Sequence, residues 1–345
     1  MSASKYRGYL NWQSVLRNRV VSISASVLAV LFGLERSLAA DYSSLTTDAY
    51  LGDVEILAKV KDDTVFTEGP AAAPDGTLLF TNVPVSKILK WDPQTRSLSV
   101  FRENSNETNG LYFAPDGSLL ACEGSSARVT RTDAKTGKIE VLADAFEGKR
   151  LAKPNDLCMD DRGRIYFSSR SASEDPAGEN LKAVYRIDPD GSLHQILAWP
   201  DVHMPNGIVT SPDNSKLYLI EAHPDADHHR DIRVYDLNAD GTVSNGRVLI
   251  DFYPGRSGDG MCIDAEGNLY VAAGLHKTRG TSETLDTKPG IHVISPEGKL
   301  LAYRETPEDT ITNCTFGGKD RKTLYVACGT LLLSIPTKIP GKPAN

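Results

Sequence analysis

A ten-residue segment recurs six times along this 345-residue chain and restricts its fold more than any other feature. Each copy is a largely apolar run that ends in a turn, and successive copies begin 41 to 54 residues apart. The copies are TEGPAAAPDG from Thr67, TNGLYFAPDG from Thr108, PNDLCMDDRG from Pro154, PNGIVTSPDN from Pro205, GDGMCIDAEG from Gly258 and TNCTFGGKDR from Thr312. Repetition at this period is typical of propellers and related arrays. The fold is therefore expected to contain six equivalent units.

Each unit predicts four short strands. The repeated segment is followed by a second apolar run, such as TLLFTN or KLYLIE, and then by two alternating runs separated by an Asp, Asn or Gly turn. Helical periodicity is almost absent, so the pattern predicts an all-β, six-bladed β-propeller with four-stranded blades. The sixth unit lacks a fourth strand because LLLSIPTKIP leads directly into a Pro/Lys-rich tail. We expect residues 53–62 to supply that strand, close the ring and cover the sheet edge.

One position of the repeated segment is a carboxylate or an amide in every copy. It lies eight residues before the residue that ends the turn, and it is occupied by Glu68, Asn109, Asn155, Asn206, Asp259 and Asn313. Turn formation explains a single Asn-Gly or Asp-Gly pair, but it does not explain six polar residues in one register. The first strand of each propeller blade lines the central channel, so these side chains are expected to form a ring. Eight extended residues span roughly 26 Å, which places the ring near the mouth opposite the turns.

The ring contains two carboxylates and four amides, without His or Cys. Oxygen donors of this kind suit Ca²⁺, or Mg²⁺ or Mn²⁺ with several waters retained, better than Zn²⁺ or copper. Converging carboxylates would also repel one another in the channel without a cation. The sequence therefore predicts a divalent cation, with Ca²⁺ preferred and Mg²⁺, Mn²⁺ and Zn²⁺ as alternatives. The other interpretation of the ring is a plug of hydrogen-bonded Asn side chains that ties the blades together.

Several motifs resemble one known family over residues 65–335. They are TEGP, GKRLAKPNDL, MPNGIVTSPD, GDGMCIDAEGNLYVA and ITNCTFGGKDRKTLYVA. The chain resembles the family of senescence marker protein (regucalcin), gluconolactonase and luciferin-regenerating enzyme, which are six-bladed propellers with a divalent metal in the channel. The resemblance implies that the metal is ligated by Glu68, Asn155, Asn206 and Asp259. It also implies that Asp259 activates water as an acid/base and that Asn155 touches substrate, while Asn109 and Asn313 remain polar channel residues.

The chain departs from this family at positions that bear on substrate. Members close to regucalcin carry an Arg two residues before the equivalent of Asn155, whereas this chain has Lys153, a point charge without the planar fork of Arg. Many gluconolactonases read YFTDP after the next strand, but this chain reads YFSSR and has Ser169 in place of the Asp. Glu174 lies one residue from the position of a family substrate-binding Glu. We therefore assign Asn155, Lys153 and Glu174 to substrate binding.

Three functions are compatible with the ring. The first is a divalent-metal-dependent lactonase that hydrolyses a sugar-acid lactone, with Asp259 activating the water. The second is a phosphotriesterase-like hydrolase, because diisopropyl fluorophosphatase is similar in fold and channel site. The third is a non-catalytic, metal-stabilised propeller that binds a ligand, and the changes at Lys153 and Ser169 keep this alternative open. The predicted partner is a small molecule, and the sequence leaves the oligomeric state open.

Charge and the N-terminal segment bear on partners and location. A net charge of −7, without a basic stripe, argues against nucleic-acid binding. Four basic residues precede the uncharged run VVSISASVLAVLFGL, and small residues follow it. This layout predicts a signal peptide over residues 1–40, with an uncleaved membrane anchor as the alternative, because the run is shorter than the roughly 20 residues of a spanning helix. Residues 41–345 are then a single exported propeller, periplasmic or extracellular, that does not insert into a membrane.

The remaining cysteines and histidines receive structural interpretations. Five Cys residues stand in apolar runs without metal-ligand spacing, which indicates buried thiols rather than a disulfide framework. The cluster HPDADHH, from His223 to His229, is interpreted as a solvated loop. His276 is interpreted as a residue of the channel rim.

Overall fold

Each sequence repeat supplies the innermost strand of one four-stranded antiparallel sheet in the computed structural model, which describes residues 41–171 and 182–343. Strand β1 is Glu55–Lys59. Blade 1 contains β2 (Thr67–Ala72), β3 (Leu78–Asn82), β4 (Lys87–Asp92) and β5 (Ser97–Arg102). Blade 2 contains β6 (Thr108–Phe113), β7 (Leu119–Glu123), β8 (Arg128–Thr132) and β9 (Ile139–Ala143), and a hairpin of β10 (Ala145–Phe146) and β11 (Lys149–Arg150) follows it.

The other four blades repeat this order. Blade 3 contains β12 (Pro154–Met159), β13 (Ile165–Arg170), β14 (Lys182–Ile187) and β15 (Leu193–Ala198). Blade 4 contains β16 (Pro205–Thr210), β17 (Lys216–Glu221), β18 (Asp231–Leu237) and β19 (Val243–Asp251). Blade 5 contains β20 (Gly258–Ile263), β21 (Leu269–Ala273), β22 (Gly290–Ile294) and β23 (Leu300–Glu305). Blade 6 contains β24 (Ile311–Gly317), β25 (Thr323–Cys328) and β26 (Leu331–Pro336).

The six innermost strands form a closed ring. Each contacts the innermost strand of the next blade, and β24 of the last blade contacts β2 of the first. The described helices are two 3₁₀ turns, Thr47–Ala49 and Val83–Val85. The prediction of an all-β, six-bladed propeller with four-stranded blades is confirmed.

Strand β1 completes blade 6, as predicted from the sequence. It pairs antiparallel with β26, with Glu55 opposite Ser334 and Lys59 opposite Leu331. Val60 extends the ladder by donating its backbone N–H to the carbonyl oxygen of Thr330 at 2.8 Å. The first described strand and the last one therefore close the ring through backbone hydrogen bonds, and β26 is not left as an open edge.

The cores lie between neighbouring blades. In one of them Leu120 of blade 2 packs with Phe167 and Tyr185 of blade 3, and all three are fully buried. The rings of Phe167 and Tyr185 stack with centroids 5.2 Å apart. Burial of one such side chain contributes about 1.5–3 kcal/mol, so contacts between the blades stabilise the ring as a whole.

The innermost strands deviate from regular pairing beside the polar residue in every blade. In blades 1 to 5 the register between the first and second strands shifts just after the repeat begins, as between Glu68 and Ala71 in blade 1 and between Gly258 and Met261 in blade 5. In blade 6 the shift comes earlier, between Ile311 and Asn313. A β-bulge bends a strand and re-aims its side chains. A bulge next to each polar residue therefore helps to direct that side chain away from the regular ladder.

Glycine beside the polar residue permits the close approach of the blades. Gly69 has φ +48°, and a Cβ there would lie 2.1 Å from the carbonyl oxygen of Asn109 in the next blade. A Cβ on Gly260 would lie 2.1 Å from the side chain of Asn313. Only glycine fits these contacts without displacement of the neighbouring blade.

The chain after β26 crosses the end of the channel at which the repeat turns lie. Ala265 donates its N–H to the carbonyl oxygen of Pro340, and Lys342 donates its own N–H to that of Ile263, both at 2.9 Å. The Lys342 ammonium donates to Thr210 Oγ1 at 2.9 Å. This segment, residues 337–343, therefore connects blades 4, 5 and 6. A cavity of about 140 Å³ lies beneath it, and Lys342 and Pro343 contribute to its lining.

The prediction of a signal peptide is not tested by the described residues. The predicted signal peptide, residues 1–40, lies outside the described part of the chain. Within the described part, no helix combines the length and the hydropathy needed to cross a bilayer.

Candidate active site and cation centre

All six polar residues of the repeat are buried on the innermost strands. These residues are between 2% and 7% exposed to solvent. They are Glu68, Asn109, Asn155, Asn206, Asp259 and Asn313. Each is the second residue of its strand except Asn313, which is the third residue of β24. Buried polar groups require hydrogen bonds, ions or water. The contacts of these six side chains therefore determine whether the ring can hold a cation.

The expected distance between the ring and the turns was too long. Strand β2 extends only four residues beyond Glu68, to Ala72, which corresponds to roughly 13 Å of extended chain. The remaining residues, from Ala73 to Gly76, form the turn, in which the Gly76 N–H donates to the carbonyl oxygen of Ala73. The estimate of roughly 26 Å treated turn residues as strand.

Asp259 is held by two short hydrogen bonds. Its Oδ1 accepts a hydrogen bond from Asn206 Nδ2 at 2.5 Å, and its Oδ2 accepts one from the Arg256 guanidinium at 2.5 Å. The side chains of Arg256 and Asp259 are 8% and 9% exposed. Arg256 also donates to the carbonyl oxygens of Ile311 and Gly274 at 3.1 and 3.3 Å. A buried carboxylate requires such partners, and here they fix its orientation from two sides.

Asn313 connects the other two buried carboxylates of the channel, Asp156 and Glu68. Asn313 Nδ2 donates to Asp156 Oδ2 at 3.1 Å and approaches Glu68 Oε2 at 3.4 Å. Burial raises the pKa of Glu68 well above its usual value, and the charges of Asp259 and Asp156 raise it further. Burial likewise raises the pKa of Asp156 to about 7. The channel therefore holds more negative charge than its protein partners neutralise.

Asn109 and Asn155 are brought to the same channel without forming part of these networks. The Oδ1 atom of Asn109 is buried and lacks a hydrogen-bond partner among the described residues. Asn155 is 4% exposed, and its carbonyl oxygen packs against Gly110 of the preceding blade. An orphaned amide oxygen beside under-neutralised carboxylates is the arrangement that a cation would complete.

The donor chemistry fits an oxygen-preferring cation. In the described residues, no group of three His, Cys, Asp or Glu side chains is arranged to hold a metal ion. A cation in this channel would therefore take carboxylate oxygens from Glu68 and Asp259 together with amide oxygens. Asn206 donates its N–H group to Asp259, so its carbonyl oxygen is the atom that can face a cation. Asn313 uses its amide oxygen on the backbone N–H of Cys314 at 2.8 Å and is less suited to ligation.

A cavity of about 680 Å³ opens above Asn206 and Asp259. Lys153, Arg170, Arg256, Arg279 and Glu283 line it, while blade 4 contributes an apolar wall that includes Met204, Ala222 and Pro224. The volume falls within the range of about 300–1,000 Å³ that is usual for small-molecule sites. Glu68 and Asn155 do not line this cavity among the described residues. Asn206 and Asp259 thus connect the ring with the space that a small molecule can enter.

The three residues assigned to substrate by sequence have different outcomes. Lys153 lines the cavity and pairs with Glu107 at 3.0 Å. Asn155 lies in the channel but outside the cavity lining. Glu174 lies outside the described residues. Ser169, the residue that replaces the family Asp, is fully buried, and its Oγ lacks a partner among the described residues.

The histidine-rich loop is solvated at its tip and packed at its histidines. Residues 225–227 are exposed, as expected for a solvated loop. His223 is 5% exposed, and its ring stacks on that of His228 with centroids 3.8 Å apart. The ring of His203, from a different connection, stacks on that of His229 at the same separation. His276 is half-buried, and its Nε2 lies 2.9 Å from the carbonyl oxygen of Thr306, to which the Nε2-protonated ring donates a hydrogen bond.

The cysteines are free thiols, as the sequence indicated. All five are unpaired, and four of them are buried. Cys262 and Cys314 of neighbouring innermost strands lie with their sulfur atoms 3.5 Å apart.

Sequence reasoning missed Arg256, Asp156 and Arg170. Arg256 stands three residues before Asp259 in GRSGDG and has no counterpart in the other repeats, so alignment of the repeats gave it no weight. Asp156 directly follows Asn155, at a position that is glycine in four of the six repeats. That departure from glycine was a signal that could have identified it. Arg170 ends β13 and lines the cavity, which only the folded chain reveals.

The fold and the site define a class: a six-bladed propeller with an oxygen-rich channel centre beneath a small-molecule cavity. The family model described as SMP-30/gluconolactonase/LRE-like region matches residues 66–330. The chain therefore belongs to this family.

Individual relatives agree with this membership. A gluconolactonase of Zymomonas mobilis is 28% identical over 85% of both chains. Human regucalcin is 28% identical over 73% of this chain and 79% of its own. The crystal structure of a gluconolactonase from Xanthomonas campestris has a TM-score of 0.70 at 28% identity and covers 84% of this chain and 91% of that one. The structure of a regucalcin from Agrobacterium tumefaciens, described as a calcium-binding protein, has a TM-score of 0.65 at 20% identity, covers 84% and 95%, and indicates the fold alone.

Proposed function

We propose that this protein is an exported, divalent-metal-dependent lactonase that hydrolyses the lactone of a sugar acid to the open acid. The gluconolactonase relatives support a hydrolase of the lactonase type. The basic, apolar and small-residue order of residues 1–40 supports export. The oxygen donors of the ring, two carboxylates and four amides without His or Cys, support Ca²⁺ as the cation. The observation that carries the proposal is the position of Asp259, which belongs both to the channel ring and to the cavity lining.

Asp259 is suited to the role of general base. Each of its oxygens accepts one short hydrogen bond, from Asn206 or from Arg256, and retains a second lone pair. One of these lone pairs can take the proton of a water molecule as its oxygen attacks the lactone carbonyl carbon. The bond between that carbon and the ring oxygen then breaks, and the ring oxygen leaves as a hydroxyl after it receives the proton. The net reaction consumes one water and yields an acid that ionises at neutral pH.

The surrounding residues position these groups. Arg256 and Asn206 fix the carboxylate, and the glycines of the innermost strands allow the blades to converge beneath it. Glu68, Asn155, Asn206 and Asp259 are the residues that we assign to the cation. When bound, a divalent cation polarises a carbonyl oxygen as a Lewis acid. Lys153, and Glu174 in the segment outside the described residues, are assigned to the sugar hydroxyls.

A proton-release assay tests the proposal. The full chain is stripped with a chelator and supplied with gluconolactone and a small panel of lactones in weak buffer with a pH indicator. Ca²⁺, Mg²⁺, Mn²⁺ and Zn²⁺ are then added back separately. We expect proton release that returns with one ion and is absent in Asp259→Asn, while the exposed turn variant Asp75→Asn keeps it. A metal-dependent rise in melting temperature without proton release would contradict the lactonase and favour a metal-stabilised binding protein or a hydrolase of another bond.

A further inference from the structure

Positive charge dominates the walls of the 680 Å³ cavity. Blade 3 contributes Lys153 and Arg170, and the chain around blade 5 contributes Arg256 and Arg279. Among the described residues, the acidic side chains in the lining are Asp259 and Glu283, so the described part of the lining has four cationic groups and two anionic ones. A neutral sugar lactone offers no partner for this excess of cations.

Most of the charged groups already have partners. Arg256 is committed to Asp259. Arg279 pairs with Asp309 at 3.6 Å, Lys153 pairs with Glu107 at 3.0 Å, and the pairs lie on the partly exposed rim. Glu283 is 9% exposed and accepts a hydrogen bond from Thr281 Oγ1 at 2.9 Å. Of the four cationic side chains in the lining, Arg170 is therefore the one whose partner has not yet been described.

Arg170 stands at the junction between the wall and the channel. It is the last residue of β13, and its backbone N–H donates to the carbonyl oxygen of Lys153 at 3.1 Å. Its side chain is half-buried and makes no hydrogen bond or ion pair with any residue in the described ranges. The side chain also lines the cavity, so a molecule bound there can reach the guanidinium.

The form of this side chain favours a particular ligand. A guanidinium presents N–H donors in a planar fork that matches a carboxylate or a phosphate, and it is charged at all physiological pH values. Arg279 also lines the cavity, and burial and the nearby Arg256 charge lower its pKa. Arg170 and Arg279 thus place two guanidinium groups in one cavity lining, together with apolar residues of blade 4, and this combination suits an anionic group.

We propose that the substrate is a lactone that carries a second anionic group, a carboxylate or a phosphate, and that Arg170 binds this group at the cavity wall. This inference rests on the proposed function only in naming the substrate as a lactone. The subsite itself depends on Arg170, Arg279 and the cavity, and neither arginine is assigned to the cation.

Binding of ring-opened acids tests the inference without any turnover. The full chain is titrated calorimetrically with three probes: gluconate, glucarate, which bears a second carboxylate, and gluconate phosphorylated at C6. We expect one of the two doubly anionic probes to bind the wild type more tightly than gluconate. In Arg170→Gln that probe should lose about 10- to 100-fold in affinity, the range for a charge-assisted hydrogen bond, while gluconate changes by about twofold or less. Comparison of glucarate with the phosphorylated probe identifies which anion is recognised.

Two further variants make the outcome decisive. Arg150→Gln removes an arginine of the β10–β11 hairpin outside the cavity, so its affinities should match the wild type. Arg170→Lys keeps the charge but not the fork, so its affinity should fall between those of the wild type and Arg170→Gln. Equal affinity of the wild type for all three probes, or equal loss in Arg170→Gln and Arg150→Gln, would overturn the inference. Failure of the lactonase proposal would instead be seen in the proton-release assay, so the two failures are distinguishable.

Discussion

Arg256 and Asp259 form a buried ion pair, with the guanidinium nitrogen 2.5 Å from the carboxylate oxygen and both side chains less than a tenth exposed. A buried pair that loses one partner leaves an uncompensated charge. The same carboxylate is the proposed general base, so Arg256 links the stability of the ring to the chemistry above it.

We expect Arg256→Ala to lower the free energy of unfolding by about 3–5 kcal/mol, because the Asp259 charge would remain buried without its partner. Lactone hydrolysis should fall by about 10²-fold as the carboxylate loses its orientation. Urea unfolding and proton-release rates measure the two effects. Arg96→Ala, which breaks the exposed pair with Glu55, is the control and should cost about 0–1 kcal/mol. The double variant R256A/D259A should lose less stability than the two single variants combined. Additive losses would show that the two residues act independently.

Asn206→Ala should weaken both cation binding and hydrolysis. The substitution removes the amide oxygen assigned to the cation and the N–H that holds Asp259. In the wild type, a chelator should lower the melting temperature, and re-added Ca²⁺ should restore it, since a ligand that binds only the folded state stabilises it. In Asn206→Ala the Ca²⁺-dependent rise in melting temperature should be smaller. The control is Asn238→Ala, which alters a hydrogen bond to Thr242 in an outer turn. If Asn206→Ala keeps the full Ca²⁺ response and activity, the assignment of the ring is incorrect.

Deletion of residues 53–62 should destabilise the whole propeller rather than one end of the chain. The segment contains β1, which pairs with β26 and completes blade 6. Each kcal/mol lost should lower the melting temperature by about 2–4 °C, so the loss of a complete strand should be readily detected by calorimetry as a single earlier transition. An unchanged transition would mean that β1 does not stabilise the ring.

Stability should fall as the pH decreases from about 6.5 to 4, partly because of His292. This residue is 1% exposed, and burial lowers the pKa of its imidazole to about 4 from an ordinary 6.5. The unfolded chain therefore takes up the proton first, so His292 contributes fully to stability above pH 6.5 and loses that contribution as the pH falls through 4. The shift corresponds to about 3 kcal/mol at most.

Comparison of variants isolates this contribution. The rings around His292 are those of Tyr42, Phe252 and Tyr303, none of which titrates in this interval. His292→Gln should show a smaller loss of stability between pH 7 and pH 4.5 than the wild type in urea unfolding. His194→Gln replaces a half-exposed histidine and should retain the wild-type pH dependence. The same pH dependence in His292→Gln as in the wild type would contradict the assignment.

The sequence was informative where the repeats agree. The constant interval between each polar residue and its turn predicted that Glu68 and Asp259 share one level of a channel, because identical strands of a closed ring present identical positions together. The missing strand of blade 6 was predictable for a related reason, since an uncovered edge requires a partner.

What the sequence did not predict depends on contacts between different connections. Arg256 reaches Asp259 from the segment GRSGDG, whose Arg has no counterpart in the other repeats, and Arg170 lines the cavity from the end of β13. The stacking of His203 on His229 joins the loop before β16 to the loop before β18. The depth of the ring was overestimated because turn residues were counted as extended chain.

The crossing of residues 337–343 beneath the channel affects how molecules enter and leave. Lys342 and Pro343 line the small cavity at that end, and the segment connects three blades there. The cavity of about 680 Å³ beside Arg170 and Arg279 lies at the other end of the innermost strands. Lactone that enters there and acid that leaves from there occupy the same cavity. The acid product should accordingly compete with the lactone, so that inhibition by product is competitive and intensifies as the acid accumulates.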